Sequence, residues 1–253
     1  FANLVLFDPS FHTHIQKASL RADWSSFPKK IKGHLTIDTP CLSIKKKRAI
    51  SKLNEGWFDI SISVNNGTLD WGGPVHFSLE HHATRSQMAL NWSDSMALFT
   101  FQDGKLEGEL KNFKVSLLNQ WFSLGEISDG KLTGRVVIDE EGNPISANLK
   151  IAEIAVVLFP GAIDGMEGTF SYNANLGAKW DLRGIGKAQE RQFPFSCQGR
   201  GFFKSHWIES KIQLDESWCQ ISGDEIWSLE CHQLRSEQAT WMQGGLAAIW
   251  PEV

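Results

Sequence analysis

Asp129-Gly130-Lys131-Leu132-Thr133-Gly134-Arg135-Val136-Val137-Ile138-Asp139 contains the grammar of the whole chain. It opens on an Asx-Gly pair, and both residues tolerate the positive φ that a tight turn demands. Then Leu132, Gly134, Val136 and Ile138 alternate with Thr133, Arg135, Val137 and Asp139. A period of two predicts a strand with one apolar and one wet face. The opening phrase recurs in Asn66-Gly67-Thr68-Leu69, in Asp103-Gly104-Lys105-Leu106-Glu107-Gly108 and in Asp164-Gly165-Met166-Glu167-Gly168. Four such phrases predict four turns, each feeding a strand, and a sheet built by accretion.

The alternation continues on both sides of that stretch. Phe58, Ile60, Ile62 and Val64 oppose Asp59, Ser61 and Ser63, and Ile31, Gly33, Leu35 and Ile37 oppose Lys32, His34 and Thr36. Phe77 with Leu79, Phe170 with Tyr172, Ile208 and Ile212 with Leu214, and Trp227 with Leu229 and Cys231 extend it. Many such strands on short links predict an antiparallel all-β protein. Helical sequence is expected only over Lys114–Leu124 and Leu234–Trp250, the second placing Leu234, Trp241, Gly245 and Ile249 on one face despite Gly244-Gly245. Lys45–Arg48 and Gly184–Pro194 read as polar, loop-like stretches. Neither is a linker, so residues 1–253 are expected to form one continuous repeat-built β domain, with 234–253 as the start of a further repeat.

A formal net charge of −4 over 253 residues gives no general pull toward nucleic acid. Eleven tryptophans and sixteen phenylalanines against one tyrosine predict broad apolar surfaces. No apolar run is long enough to span a bilayer as a helix. The opening Phe1-Ala2-Asn3-Leu4-Val5-Leu6-Phe7 lacks the basic start of a signal peptide and reads as a strand joined midway, as in a segment of a longer protein. Cys41, Cys197, Cys219 and Cys231 form no C-x-x-C pair. Cys219 and Cys231 fall on neighbouring strands, where they could pair in an oxidising compartment or stay as buried thiols.

Catalytic and metal chemistry find little support in the residue pattern. There is no G-x-S-x-G, and Gly184-Ile185-Gly186 lacks the third glycine of a dinucleotide fingerprint. His12 with His14, and His76 with His81-His82, are spaced as strand-end histidines and have no cysteine partner for a metal. Asp103, Asp129 and Asp164 are expected to serve turns. The expectation is a protein without catalytic residues, metal or cofactor.

Gly130–Asp139, the Gly142-Asn143-Pro144 turn with its following strand Ile145–Ile151, the apolar Ile154–Phe159 and Ile163–Phe170 come in an order that resembles the repeat of the TamB and AsmA-like envelope proteins. Ile31–Ile44 is similar to the early strand-Asp-x-Pro-strand element of that family. The resemblance implies an elongated, twisted antiparallel sheet curled into a trough, with short helices between repeats. It implies a place in the periplasm of a Gram-negative envelope and an inner-membrane anchor outside this chain. Phospholipid would be the cargo, moved between inner and outer membranes, or the protein would assist an outer-membrane assembly partner. The groove would be lined by Phe58, Ile60, Ile62, Val64, Leu132, Val136, Ile138, Phe170 and Tyr172. The basic run Lys45–Arg48, with Lys29, Lys30, Lys32 and Lys52, would face anionic headgroups or solvent. The rival is a secreted β-sandwich or β-solenoid that binds glycan through exposed tryptophans such as Trp57 and Trp71. An open trough and a closed sandwich are both compatible with the alternation.

Overall fold

The computed structural model describes residues 2–8, 11–23, 31–44, 58–70, 74–82, 84–116, 126–158, 161–188, 190–202, 207–224 and 227–249. They are almost entirely β, with one α-helix. The chain divides into two compact units, Phe1–Gly108 and Glu109–Val253.

Unit 1 contains β1 (Ala2–Asp8), β2 (Phe11–Asp23), β3 (Ile31–Asp38), β4 (Cys41–Ile44), β5 (Phe58–Asp70), β6 (Pro74–His82), β7 (Arg85–Trp92) and β8 (Ser95–Gln102). β9 (Lys105–Lys114) carries the boundary at Gly108. β1–β2, β2–β3 and β2–β4 pair antiparallel, whereas β5 lies parallel to both β3 and β4. β5–β6–β7–β8 is then an antiparallel meander. β3 and β4 are one strand interrupted at Thr39-Pro40, because β2 keeps the same register across the break. The parallel pairing corrects the expectation of a wholly antiparallel sheet, since a pattern of alternation says nothing about strand direction.

Unit 2 is a continuous antiparallel meander. It runs through β10 (Glu126–Asp139), β11 (Pro144–Leu158), β12 (Gly161–Asn173), β13 (Gly177–Ala188), β14 (Arg191–Phe202), β15 (Trp207–Leu214), β16 (Ser217–Gly223) and β17 (Trp227–His232). Helix α1 (Ser236–Ile249) follows, inside the helical stretch read from the sequence. The expected helix over Lys114–Leu124 begins as the end of β9 and a short 3₁₀ turn at residues 115–116, and the rest lies outside the described residues.

Only one of the four Asx-Gly phrases makes a hairpin turn. Asp103 and Gly104, at φ 52° and 71°, link β8 to β9. The other three lie inside strands and make bulges. Asn66-Gly67 shifts the β5–β6 register, and Asn66 (φ 51°) stands opposite Thr39 (φ 51°) on the parallel neighbour. Thr39 N–H donates to Asn65 O at 2.9 Å and Thr68 N–H to Pro40 O at 2.8 Å, so both strands bend together. In unit 2, Asp129-Gly130 in β10, Glu153 (φ 56°) in β11 and Gly165 (φ 58°) in β12 shift the register at neighbouring positions. A bulge needs the same left-handed backbone as a turn, which is why sequence alone does not separate them. Here the strands run on through the phrase and are bent by it.

The second glycine of two phrases has its own cause. Gly134 (φ 148°) and Gly168 (φ 149°) lie in a region that side-chain-bearing residues avoid. A Cβ at either would also collide with a carbonyl of the next strand, that of Asn148 or Asp181. The true links of unit 2 use other side chains. Asp139 Oδ1 accepts the N–H of Asn143 at 2.8 Å and of Glu141 at 3.0 Å, and Asn173 Oδ1 accepts that of Asn175 at 2.9 Å.

Gly184–Pro194, read above as a polar loop, forms the end of β13 and the start of β14. Its glycines are packing positions: Gly186 lies beneath the Phe193 ring and Gly184 beneath that of Phe195, directly across the strand pair.

Candidate functional site

The strand register of unit 2 sorts its residues onto two faces. From β10 to β17, the directly paired residues Leu132, Ile151, Gly168, Leu182, Cys197, Ile212, Cys219 and Cys231 form one row. Paired residues share a face, so this row is one surface. One residue along each strand, on the opposite face, the row is Thr133, Lys150, Thr169, Asp181, Gln198, Lys211, Gln220 and Glu230. Eight strands thus keep one face apolar and the other polar without exception along these rows.

A second apolar row runs Gly134, Leu149, Phe170, Trp180, Gly199, Ser210, Ile221 and Leu229. Its one polar member, Ser210, is buried and bonds the carbonyl of Gln198 at 3.3 Å. Large rings lie over glycines here too, the Trp180 indole covering Gly199. At these positions a ring fills the space over a glycine of the neighbouring strand.

The face is covered to different degrees. Along one strip, Phe193, Phe195, Leu214, Cys219 and Ala188 are sealed beneath Trp241 and Met242 of α1. The Trp241 ring meets Phe193 edge-on at 5.6 Å and Phe195 at 5.2 Å, and its Nε1–H donates to Ala162 O at 2.9 Å. Toward β10, Val115, Ile151 and Ile154 form a second buried cluster, with Leu132, Phe170 and Leu182 packed at its margin. Leu149, Trp180 and Tyr172 are half-buried.

Among the nine residues expected to line a groove, Leu132, Val136, Ile138, Phe170 and Tyr172 stand on this one face of unit 2. Ile62 and Val64 stand on the apolar face of unit 1. Ile62 lies beside Leu35 and His81, and Val64, buried, beside Ile37 and Leu79. Phe58 and Ile60 lie in β5 with side chains outside the described residues. Missing from that set were Leu149, Trp180, Leu182, Phe193, Phe195 and Ile212. Trp180 and Leu182 do alternate with Lys179, Asp181 and Arg183, which is the same period-two signal. Phe193 and Phe195 were hidden by the glycines and charges around them.

The polar face carries ion pairs between adjacent strands: Lys187–Asp164 at 2.6 Å, Arg200–Glu209 at 2.8 Å and Arg183–Glu167 at 3.4 Å. The hydrogen bond and charge of Lys187 hold the Asp164 carboxyl below its ordinary range. On the apolar face, burial pushes the Cys197 thiol up, so it is kept as the neutral form. Cys219 and Cys231, directly opposed on β16 and β17, form a disulfide.

The polar-face tryptophans already have partners. Arg200 lies over the Trp207 ring at 5.3 Å, and Trp218 stacks on His232 at 5.9 Å. Trp57 and Trp71, the expected glycan contacts, lie outside the described residues, as do Lys29, Lys30, Lys52 and the basic run 45–48. Lys32 is in β3, its side chain outside the described residues. His81 Nδ1 and Ser86 Oγ are 2.7 Å apart, whereas His82 points to the other face, near Ser61. Among the described residues no three His, Cys, Asp or Glu side chains gather to hold a metal. No described helix is long and apolar enough to cross a membrane.

Set against protein-family models, curated proteins and solved structures, the chain matches none. The architecture is therefore defined by its own geometry: an all-β protein whose second unit keeps one continuous apolar face.

Proposed function

We propose that the apolar face of unit 2 is a track for the acyl chains of phospholipid. On this reading the chain is part of an envelope protein of the TamB and AsmA-like kind, its sheet curled as a trough. The observation that carries it is the row structure: the same face stays apolar across eight strands, with no convergent polar groups along it. Seven inter-strand steps at about 4.8 Å give a path of roughly 34 Å along the rows. Apolar contact over such a path stabilises a bound tail by about 25 cal/mol per Å² removed from water. Nothing on the rows can read a headgroup, so binding follows tails and discriminates little between headgroups. A disulfide between Cys219 and Cys231 fits an oxidising compartment such as the periplasm.

The test is native mass spectrometry of the protein purified from cells under non-denaturing conditions. The reading expects phospholipid of mixed headgroups in non-covalent complex, lost when Leu149 and Trp180 are both replaced by Asp in a chain that still folds. Protein free of lipid, and unable to take it from vesicles of phosphatidylethanolamine and phosphatidylglycerol, would sink it.

A further inference from the structure

Helix α1 is attached to the apolar face differently from the strands around it. Among the described side chains of Ser236–Ile249, Trp241 and Met242 are buried on the sheet. Most of the remaining helix is small or polar and includes Gly244-Gly245. A helix of 14 residues with two glycines is marginal by itself, so α1 is helical because it is docked.

Its first turn is held by a polar latch. Gln238 is buried, and its Nε2–H donates to Leu214 O at 2.9 Å. Its Oε1 accepts the Arg235 N–H at 3.0 Å, closing the helix start as the third residue of a capping box does. Ser217 Oγ sits 2.9 Å from that same oxygen and 2.7 Å from the carbonyl of Gln233. On the outside, Glu237 meets Arg191 of β14 at 2.9 Å. These bonds are directional, and on release each is exchanged for one to water. Just before the latch, Gln233 turns the chain at φ 55°, and the Cys219–Cys231 disulfide ties β17 covalently to β16 two residues earlier.

We infer that α1 is a lid: it opens from the sheet as a unit about Gln233, while the disulfide keeps β17 in place. What it uncovers is Phe193, Phe195 and Leu214, a strip continuous with Cys197 and Ile212 on the same face. The inference deepens the proposed lipid reading and rests on it for its purpose. Acyl chains and Trp241 compete for one strip, so a tail that enters it shifts the population toward the open helix.

Hydrogen–deuterium exchange of the full chain tests this, with and without a short-chain diacyl phosphatidylcholine below its micelle concentration. The amides of 236–249 should exchange together, about tenfold or more faster than those of β13–β15. Gln238→Ala should speed them about tenfold further and keep them well ahead of β13–β15, which speed by no more than the loss of global stability allows. Trp241→Phe, which keeps a ring but loses the bond to Ala162, gives the same test with less risk to folding. Lipid should speed α1 in the unaltered protein. Exchange of α1 at the rate of β13–β15 in all three proteins would overturn the lid, as would slowing of α1 by lipid. Independent opening with no lipid effect on any amide would instead sink the lipid reading and leave the motion standing.

Discussion

Two strips of one apolar face behave as two materials. Under α1, Phe193, Phe195 and Leu214 are core, with Leu214 wholly out of water. Beside them, Leu149, Trp180 and Tyr172 are only partly buried. The alternation in the strands is the same in both places, and so is the residue chemistry. The difference comes from a helix encoded some forty residues later in the chain. An apolar strand face therefore does not specify a core; it specifies a surface that needs a partner, and in this unit one strip has its partner in the same chain.

The comparison is broken most severely by truncating the sealed strip. Phe195→Ala removes a ring from the packed cluster and should cost about 3–5 kcal/mol, read from urea midpoints. Tyr172→Ala on the half-buried strip should cost about 1 kcal/mol. Equal losses would mean that the two strips are one core. The backbone sharpens the contrast at an intermediate level. Gly168→Ala, on the half-buried side, meets both a forbidden φ and the Asp181 carbonyl, and should cost roughly 1–3 kcal/mol. Gly142→Ala, also at positive φ but with open space around it, should cost less in the same assay.

Opening the latch comes next. Gln238→Ala removes the partners of the Leu214 carbonyl and the Arg235 amide, while the Ser217 hydroxyl keeps the Gln233 carbonyl, and should cost about 1–3 kcal/mol. A loss within error of zero would show that water replaces the glutamine without penalty. The smallest effect is one of pH. The Glu237 carboxyl is held below its ordinary range first by its own backbone amide, then by the Ser236 hydroxyl and the charges of Arg191 and Arg235. Its contribution is present above the ordinary carboxylate pKa of about 4.3 and is lost as pH falls through the lowered value. Between pH about 6 and about 3, Glu237→Gln should lose slightly less stability than the unaltered chain. An identical loss in both would remove Glu237 from the latch.

Much of this was legible in the chain, and the failures have physical reasons. Period-two alternation located the strands and the faces of Leu132, Val136 and Phe170, and the helical spacing of Leu234, Trp241 and Ile249 located the closing helix. The Cys219–Cys231 pairing was open as one of two outcomes, and neighbouring strands made it geometrically available. Three of the four Asx-Gly phrases turned out to bend strands rather than end them, because Asn66, Gly130 and Gly165 supply a left-handed backbone that turns and bulges share. Gly184 and Gly186 looked like loop residues, yet they are the hollows that receive Phe195 and Phe193. A glycine's role depends on the strand opposite it, and that information is non-local. Strand direction in β3–β5 was hidden for the same reason.

The most direct measurement is photocrosslinking on the two faces of β12. A photoreactive residue placed at Tyr172 faces the apolar rows, and one placed at Thr169 faces the polar row of Lys150 and Asp181. In cells, the account predicts phospholipid adducts at 172 and none at 169. Adducts at neither position, or equally at both, would contradict it.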